Sequence, residues 1–258
     1  VNFTARGKRK AQSHDIAKRL RPEMKRIGDR YGARIKLAEI PPGPPVLSTL
    51  AAELYGPEPE RQRAIAGDLM KIFEGTDGVV DVDWFVEDDQ RKVFFEIDRE
   101  KVAMNGISSE DVARSLQIAL GGAEAGLIHL EREREPVPLF LRMSLADRSR
   151  MEALKSLTVP SSTGVPVSLA ELVKIREGWE EKTLYHKNLK RVTYVTGDVA
   201  GTEESPAYAI LKMKDKVADL KLPEGYAPEQ FFKAQPWQEN RYALKWDGEW
   251  HITYEVFR

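Results

Sequence analysis

The 258-residue sequence contains no cysteine. That absence excludes disulfides, thiolate metal sites and cysteine nucleophiles together, and it suits an oxidising compartment where stray thiols are a liability. No apolar run approaches the roughly 18–20 residues needed to cross a bilayer. Histidine is scarce: His14, His129, His186 and His251 are never three or four apart, so no helical metal site is encoded. No G-x-S-x-G motif occurs, and Ser, His and Asp show no triad spacing. GGAEAG at 121–126 lacks the Lys-Ser/Thr of a phosphate loop and follows a helical pattern instead of a strand; it reads as a helix breaker. The six methionines lie singly, unlike a soft-metal array. No enzyme signature is present, and neither a resident metal nor a cofactor is expected.

What is present is a folded chain. Apolar residues make up 41% and charged residues 31%, enough to bury a sizeable core in one large domain or two ordinary ones. The net charge of −1 is unevenly spread. Residues 1–40 hold twelve Lys or Arg and only four acids (Asp15, Glu23, Asp29 and Glu39). A basic segment raises the alternative of a stand-alone module contacting nucleic acid. Against it, only Phe3 and Tyr31 are aromatics able to stack on bases there. A solvated helix face with acidic neighbours explains the same charges.

Periodicity divides the rest. Residues 1–7 read as a strand. Residues 13–31 read as a helix capped by Ser13, with Ile16, Leu20, Met24 and Ile27 inward and Gly32 ending it. ARIKLAEI (33–40) alternates like a strand. Pro41 to Pro45, PPGPP, is a stiff linker. LAAELYG (50–56) reads as a strand and 58–74 as a helix. VVDVDWFV (79–86) and RKVFFEID (91–98) read as two strands of a hairpin joined by EDDQ, with the carboxylates Asp81, Asp83, Glu87, Asp88 and Asp89 facing solvent. A helix follows Ser108 or Ser109 and stops at Gly121-Gly122. Short strands and turns fill 123–187. A strand at 189–197, a helix at about 205–220 and a short strand near 226–233 complete a second strand–helix–strand unit. The fold class is α+β, with tandem strand–helix–strand units interrupted by an insert, the ferredoxin-like arrangement.

The chain closes on KWDGEWHITYEVFR, where Trp246, Trp250, Tyr254 and Phe257 fall at helical spacing on one stripe. Both ends are expected to be cuts in a longer polypeptide. VNFTARGKRKAQSHDIAKRLRP, IPPGPPVLSTLAAELYGP, GVVDVDWFVEDDQ, ALGGAEAGLIHLEREREPVPLFLR, YHKNLKRVTYVTGDVAGTEESPAYAI and KWDGEWHITYEVFR together resemble the second large periplasmic loop of resistance–nodulation–division (RND) efflux permeases, the AcrB-like inner-membrane pumps. The resemblance runs along essentially the whole chain.

That resemblance implies a division of the chain. Residues 1–45 would be the latter half of one porter subdomain. Residues 46–122 and 188–235 would be a second porter subdomain, 123–187 an inserted docking subdomain, and 236–258 a juxtamembrane segment leading to a membrane-spanning helix. It also implies a proton-driven antiporter on the periplasmic face of the bacterial inner membrane. The partners would be the other subunits of a homotrimer, a periplasmic adaptor, an outer-membrane channel and small-molecule substrates, with no nucleic acid. Carried onto this sequence, the substrate cleft would use Lys36, Ala38, Ile40, Trp84, Thr193 and Val195. The membrane interface would use Trp246, Trp250, Tyr254 and Phe257. An uncovered sheet edge and helix face are expected in residues 1–40, leaving that segment mobile or swapped against another copy. With Lys36 and Ala38 where rings would sit, the cleft is expected to be poor in aromatics.

Overall fold

The computed structural model describes residues 4–39, 46–201, 205–238 and 240–256. The chain forms two compact units, Val1–Asp88 with Lys182–Arg258, and Asp89–Glu181. This division differs from the expected one: residues 89–122 pack with 123–181 instead of with 46–88.

The first unit is built on five strands: β1 (Leu50–Tyr55), β2 (Val79–Trp84), β3 (Thr193–Val199), β4 (Glu229–Phe231) and β5 (Ala243–Gly248). Their order is β4-β5-β1-β3-β2. Neighbours run antiparallel except β4 and β5, which are parallel. Helix α1 (Ser13–Tyr31) precedes the sheet, α2 (Pro59–Glu74) joins β1 to β2, α3 (Pro206–Ala218) follows β3, and α4 (Glu249–Val256) follows β5. The sequence therefore runs strand–helix–strand twice through one sheet. The expected closing strand near 226–233 is only the three-residue edge β4; the strand beside β1 is β5.

One face of this sheet is apolar because alternate residues point the same way. Leu50, Ala52 and Leu54 of β1, Val195 and Val199 of β3, and Leu244 and Trp246 of β5 meet Ile65, Leu69 and Phe73 of α2 and Ile210, Met213 and Val217 of α3. Trp246 is fully buried and stacks on Phe73 with ring centroids 5.9 Å apart. Its indole N–H donates to Gln230 Oε1 at 3.0 Å, so the one polar atom of the ring is satisfied. A tight turn links β5 to α4. Gly248 sits there at φ 91°, and a Cβ would lie 2.6 Å from the Ser48 carbonyl oxygen, so only glycine fits.

Several expectations change. The described part of 1–7 holds a 3₁₀ turn at Arg6–Lys8 instead of a strand, closed by Lys8 N–H donating to the Ala5 carbonyl. Helix α1 is present, but its cap is Gln12, one residue before Ser13, with Asp15 accepting from the Gln12 N–H at 3.1 Å. Gly32 ends it at φ 62°. Its buried residues are Ala17 and Gly28, while Leu20 and Ile27 are 44% and 43% exposed. The tail after Gly32 folds back on the helix, since a Cβ on Gly28 would lie 2.5 Å from the Ala33 oxygen. Residues 33–39 form no strand. The PPGPP linker and Ile40 lie outside the described residues.

The EDDQ hairpin does not form. Arg91–Ile97 pairs along its whole length with Val173–Trp179 in the second unit. Its Phe95 and Ile97 join Val102, Val112, Leu169 and Leu172 in a separate core, and that burial decides the pairing. Helix Ser109–Leu120 starts at Ser108, whose hydroxyl accepts from the Asp111 N–H at 3.0 Å. Among the described residues, no helix is long and apolar enough to cross a membrane.

Candidate functional site

The other face of the first unit's sheet is polar. Glu53 and Tyr55 come from β1, Tyr194, Thr196 and Asp198 from β3, and Lys245 and Asp247 from β5, each one residue out of step with the apolar set. Asp81 and Asp83 of β2 join them through a bulge. Asp83 pairs with Thr196, but the next pair is Val80 with Asp198, so Asp81 and Val82 together oppose Gly197. Asp81 takes φ 51°, a left-handed conformation that Asp tolerates better than most residues.

The basic first segment lies along these acids. Arg21 of α1 donates to Asp81 at 2.8 Å and stands 4.0 Å from Asp198. Arg34 reaches Asp83 at 3.3 Å, and Lys36 pairs with the same carboxylate. The Leu37 N–H donates to Asp81 Oδ2 at 3.1 Å, so residues 33–39 attach to the bulged edge by side-chain contacts. Asp81 and Asp83 are therefore not solvent-facing: their side chains are 11% and 22% exposed. Burial pulls the Asp83 carboxyl upward, but Lys36, the Trp84 amide and Arg34 outweigh it and hold it below the usual range.

Toward the middle of the face lies an ion cluster. Glu53 is fully buried. Tyr55 O–H donates to it at 2.9 Å, Lys187 pairs with both Glu53 and Asp247, and Lys245 stands 3.6 Å from Glu53 and 3.4 Å from Asp247. Burial and the neighbouring Asp247 raise the Glu53 carboxyl above its ordinary value, against the pull of the lysines. Burial also works against the charges of Asp247 and Lys187, but is overcome. Glu53 and the lysines hold Asp247 far below the carboxylate range, and the two acids carry Lys187 up to about 12.

Three rings complete the face. Phe85 lies 5.5 Å from both Tyr185 and Tyr194, which are 6.2 Å apart. Two hollows meet at Phe85: one of about 600 Å³ bordered by Arg34, Asp83, Glu87 and Tyr185, and one of about 510 Å³ bordered by Lys36, Ala38, Asp81, Thr196 and Asp198. Together they make a cleft with an acidic floor and an aromatic corner.

Of the expected cleft residues, Lys36 and Ala38 line this cleft, and Ile40 lies outside the described residues. Thr193 and Val195 are on the apolar face, 8% and 0% exposed; Thr196 and Asp198 take the cleft positions, and Tyr194 packs against Phe85 at the aromatic corner. Trp84 packs at the fringe of the core and also borders the larger hollow, while Phe85 beside it borders both. The expected poverty of aromatics rested on Lys36 and Ala38, which do line the cleft; its rings come from Phe85 and Tyr185 instead. The carboxylates were visible in the sequence as a cluster, but their partners were not. Only the rule that the helix-covered face must be the apolar one would have corrected the parity.

The aromatic stripe also separates. Trp246 belongs to β5 and the core. Trp250 lies in α4, half-buried, its N–H donating to the Phe232 carbonyl at 3.0 Å. Tyr254 carries the Lys233 ammonium 4.1 Å from its ring centre. Phe257 lies outside the described residues. The helix starts only at Glu249, so the four residues cannot share one helical face. His14 pairs with Glu39 at 2.7 Å and His251 with Glu255 at 3.1 Å. Among the described residues, no three metal-binding side chains converge.

Residues 2–242 match the family described as AcrB/AcrD/AcrF. The chain belongs to the AcrB/AcrD/AcrF family. This chain of the family is 23% identical over 186 residues to the cobalt-zinc-cadmium resistance protein CzcA of Cupriavidus metallidurans, and equally to the cation efflux system protein CzcA of an Alcaligenes species. The match takes in 70% of the chain and 17% of each relative, so this chain spans about a sixth of their length. Two crystal forms of a heavy metal efflux pump superpose with a TM-score of 0.62, at 20% and 21% identity, over 81% of this chain and 20% of theirs. The mixed α/β fold is that of those pump structures.

Proposed function

We propose that this AcrB/AcrD/AcrF-family chain is the periplasmic part of a proton-driven RND exporter, and that the open face of its sheet forms one wall of the cargo passage. The observation that carries the reading is the meeting of Asp81, Asp83 and Asp198 with Phe85 and Tyr185 around two adjoining hollows, with Tyr194 packed against both rings. A wall of that chemistry favours positively charged cargo, by charge from the acids and by cation–π attraction from the rings. The names of its relatives, cobalt-zinc-cadmium resistance and heavy metal efflux, support a metal cation. The rings favour an organic cation as the second reading.

In this reading α1 and residues 33–39 belong to one porter subdomain and the strand–helix–strand sheet, ferredoxin-like, to the porter region beside it. The Asp89–Glu181 unit carries the docking surface for an adaptor and an outer-membrane channel, and the working assembly is a homotrimer in the inner membrane. Trp250 and Tyr254 are the residues left to meet the membrane interface. The nucleic-acid alternative loses its support where Arg21, Arg34 and Lys36 are already occupied by aspartates.

The test is resistance of cells carrying the full-length exporter with Asp83→Asn and Asp198→Asn together. Loss of resistance to cations at normal protein level is expected. Unchanged resistance to every exported compound would remove the acidic wall from the cargo path. Tyr194→Ala separates the two cargo readings: it should spare metal export and impair export of organic cations.

A further inference from the structure

We propose that Glu53, Lys187, Asp247 and Lys245 form a proton-operated latch that holds the 185–192 hairpin on the open face of the sheet. The four charges come from three places: Glu53 from β1, Lys245 and Asp247 from β5, and Lys187 from the hairpin itself. The hairpin crosses the face through a turn at Asn188 and Leu189, both left-handed at φ 52° and 64°. Leu189 is 98% exposed in that conformation, a combination disfavoured for a leucine, so the turn does not hold itself down. Lys190 anchors the far side, donating to the Pro236 and Trp237 carbonyls. Lys187 is the ionic anchor on the near side, the side that carries Tyr185 and the aromatic corner of the cleft.

Ionised, the cluster holds two acids and two cations and balances. A proton on Glu53 leaves two ammonium groups facing Asp247 alone. Lys245 has a side chain only 5% exposed and has no route to water. Lys187 is 34% exposed and can leave. The proton therefore costs the hairpin one of its two ion pairs, leaves Lys187 competing with Lys245 for Asp247, and spares the strands. By linkage the converse holds: Lys187 in place favours the ionised Glu53, so a proton on Glu53 favours the hairpin away. Facing Glu53 are Tyr55 on its own strand, Tyr194 on β3, Lys245 and Asp247 on β5, and Lys187 on the hairpin; His251 of α4 borders the same hollow of about 330 Å³. Asp247, held far down by Glu53 and the lysines, stays ionised while Glu53 takes the proton, and burial raises Glu53 above its ordinary value.

The experiment is native-state hydrogen exchange of this chain near neutrality and near about pH 5, corrected for intrinsic rates. The reporter is the Val192 amide, which donates to the Tyr185 carbonyl at 3.0 Å and closes the hairpin. Its protection should fall about tenfold on acidification while the amides of β1 stay protected. Glu53→Gln, a mimic of the protonated state, should show the low protection at both pH values. Unchanged Val192 protection in the native chain, or neutral-level protection in Glu53→Gln, overturns the latch. Should Glu53→Gln fail to fold, titration of the native Glu53 carboxyl decides. A midpoint at or below the ordinary 4.5 overturns it, and one clearly above sustains it. The outcome does not bear on what the cleft carries.

Discussion

The two faces of the five-stranded sheet use the same strands for opposite purposes. The helix-covered face is held by area: Trp246, Phe73, Leu54, Leu69 and Met213 pack closely and exclude water, and their contacts carry no direction. The open face is held by pairing. Asp81, Asp83 and Glu53 are each satisfied by a cation from outside their own strand, and each pair has direction. Burial of apolar area tolerates few alternatives and rearranges little. Ion pairs at the edge of water exchange partners, which is what a face that meets cargo needs.

The comparison predicts an order of damage. Trp246→Ala should be the worst, about 3–5 kcal/mol, since it opens a cavity against Phe73 and frees Gln230. It is read as a large drop in denaturation midpoint; a loss under about 1 kcal/mol would mean the core repacks around the gap. Lys245→Met should follow at about 3 kcal/mol, because Glu53 and Asp247 are left buried with one cation between them. Adding Glu53→Gln should restore part of the loss, and no restoration would separate the two residues.

Arg21→Ala should cost only about 1 kcal/mol. Its signature is local: faster hydrogen exchange across α1 with the sheet unchanged. That result would show residues 4–39 held to the sheet by charge, as the exposed Leu20 and Ile27 suggest. The pH response follows from the sign of each shift. Asp83 lies below its ordinary value when folded, so its stabilisation is full above the ordinary carboxylate pKa and fades only as pH falls through the lowered one. Glu53 lies above its ordinary value, so its ionisation opposes folding and acidification relieves that cost. An acid titration of stability should therefore stay nearly flat into mild acid before it falls. The smallest effect belongs to the exposed Lys25–Asp29 pair on α1: Lys25→Ala should cost about 0.3 kcal/mol and leave α1 exchange unchanged.

Most elements were legible because their periods are strong. Ile65, Leu69 and Phe73 announce α2, and Leu50, Ala52 and Leu54 alternate through β1. The failures have identifiable causes. Thr193 and Val195 were assigned to the cleft, but the ladder sets them opposite Leu54 and Ala52 on the apolar face, and one residue moves every side chain to the other side; on β2 the bulge at Asp81 changes the parity. Trp246 fits a helical spacing with Trp250 as well as it fits a strand, and only the ladder with β1 decides. The partner of Arg91–Ile97 lies about eighty residues away, beyond any local pattern.

Local chemistry in the sequence by itself determined the α+β class, the helix ends at Gly32 and Ser108, the acid-rich and basic segments, and the family resemblance, because all of these depend on residues close together in the chain. Tertiary structure alone decided which basic residue meets which aspartate, that Phe85, Tyr185 and Tyr194 form one corner, and that Glu53 shares a buried cluster with Lys187. The Glu53–Lys187 contact alone joins a strand and a hairpin 134 residues apart. Loop closure and burial select such contacts, and neither leaves a mark in local spacing.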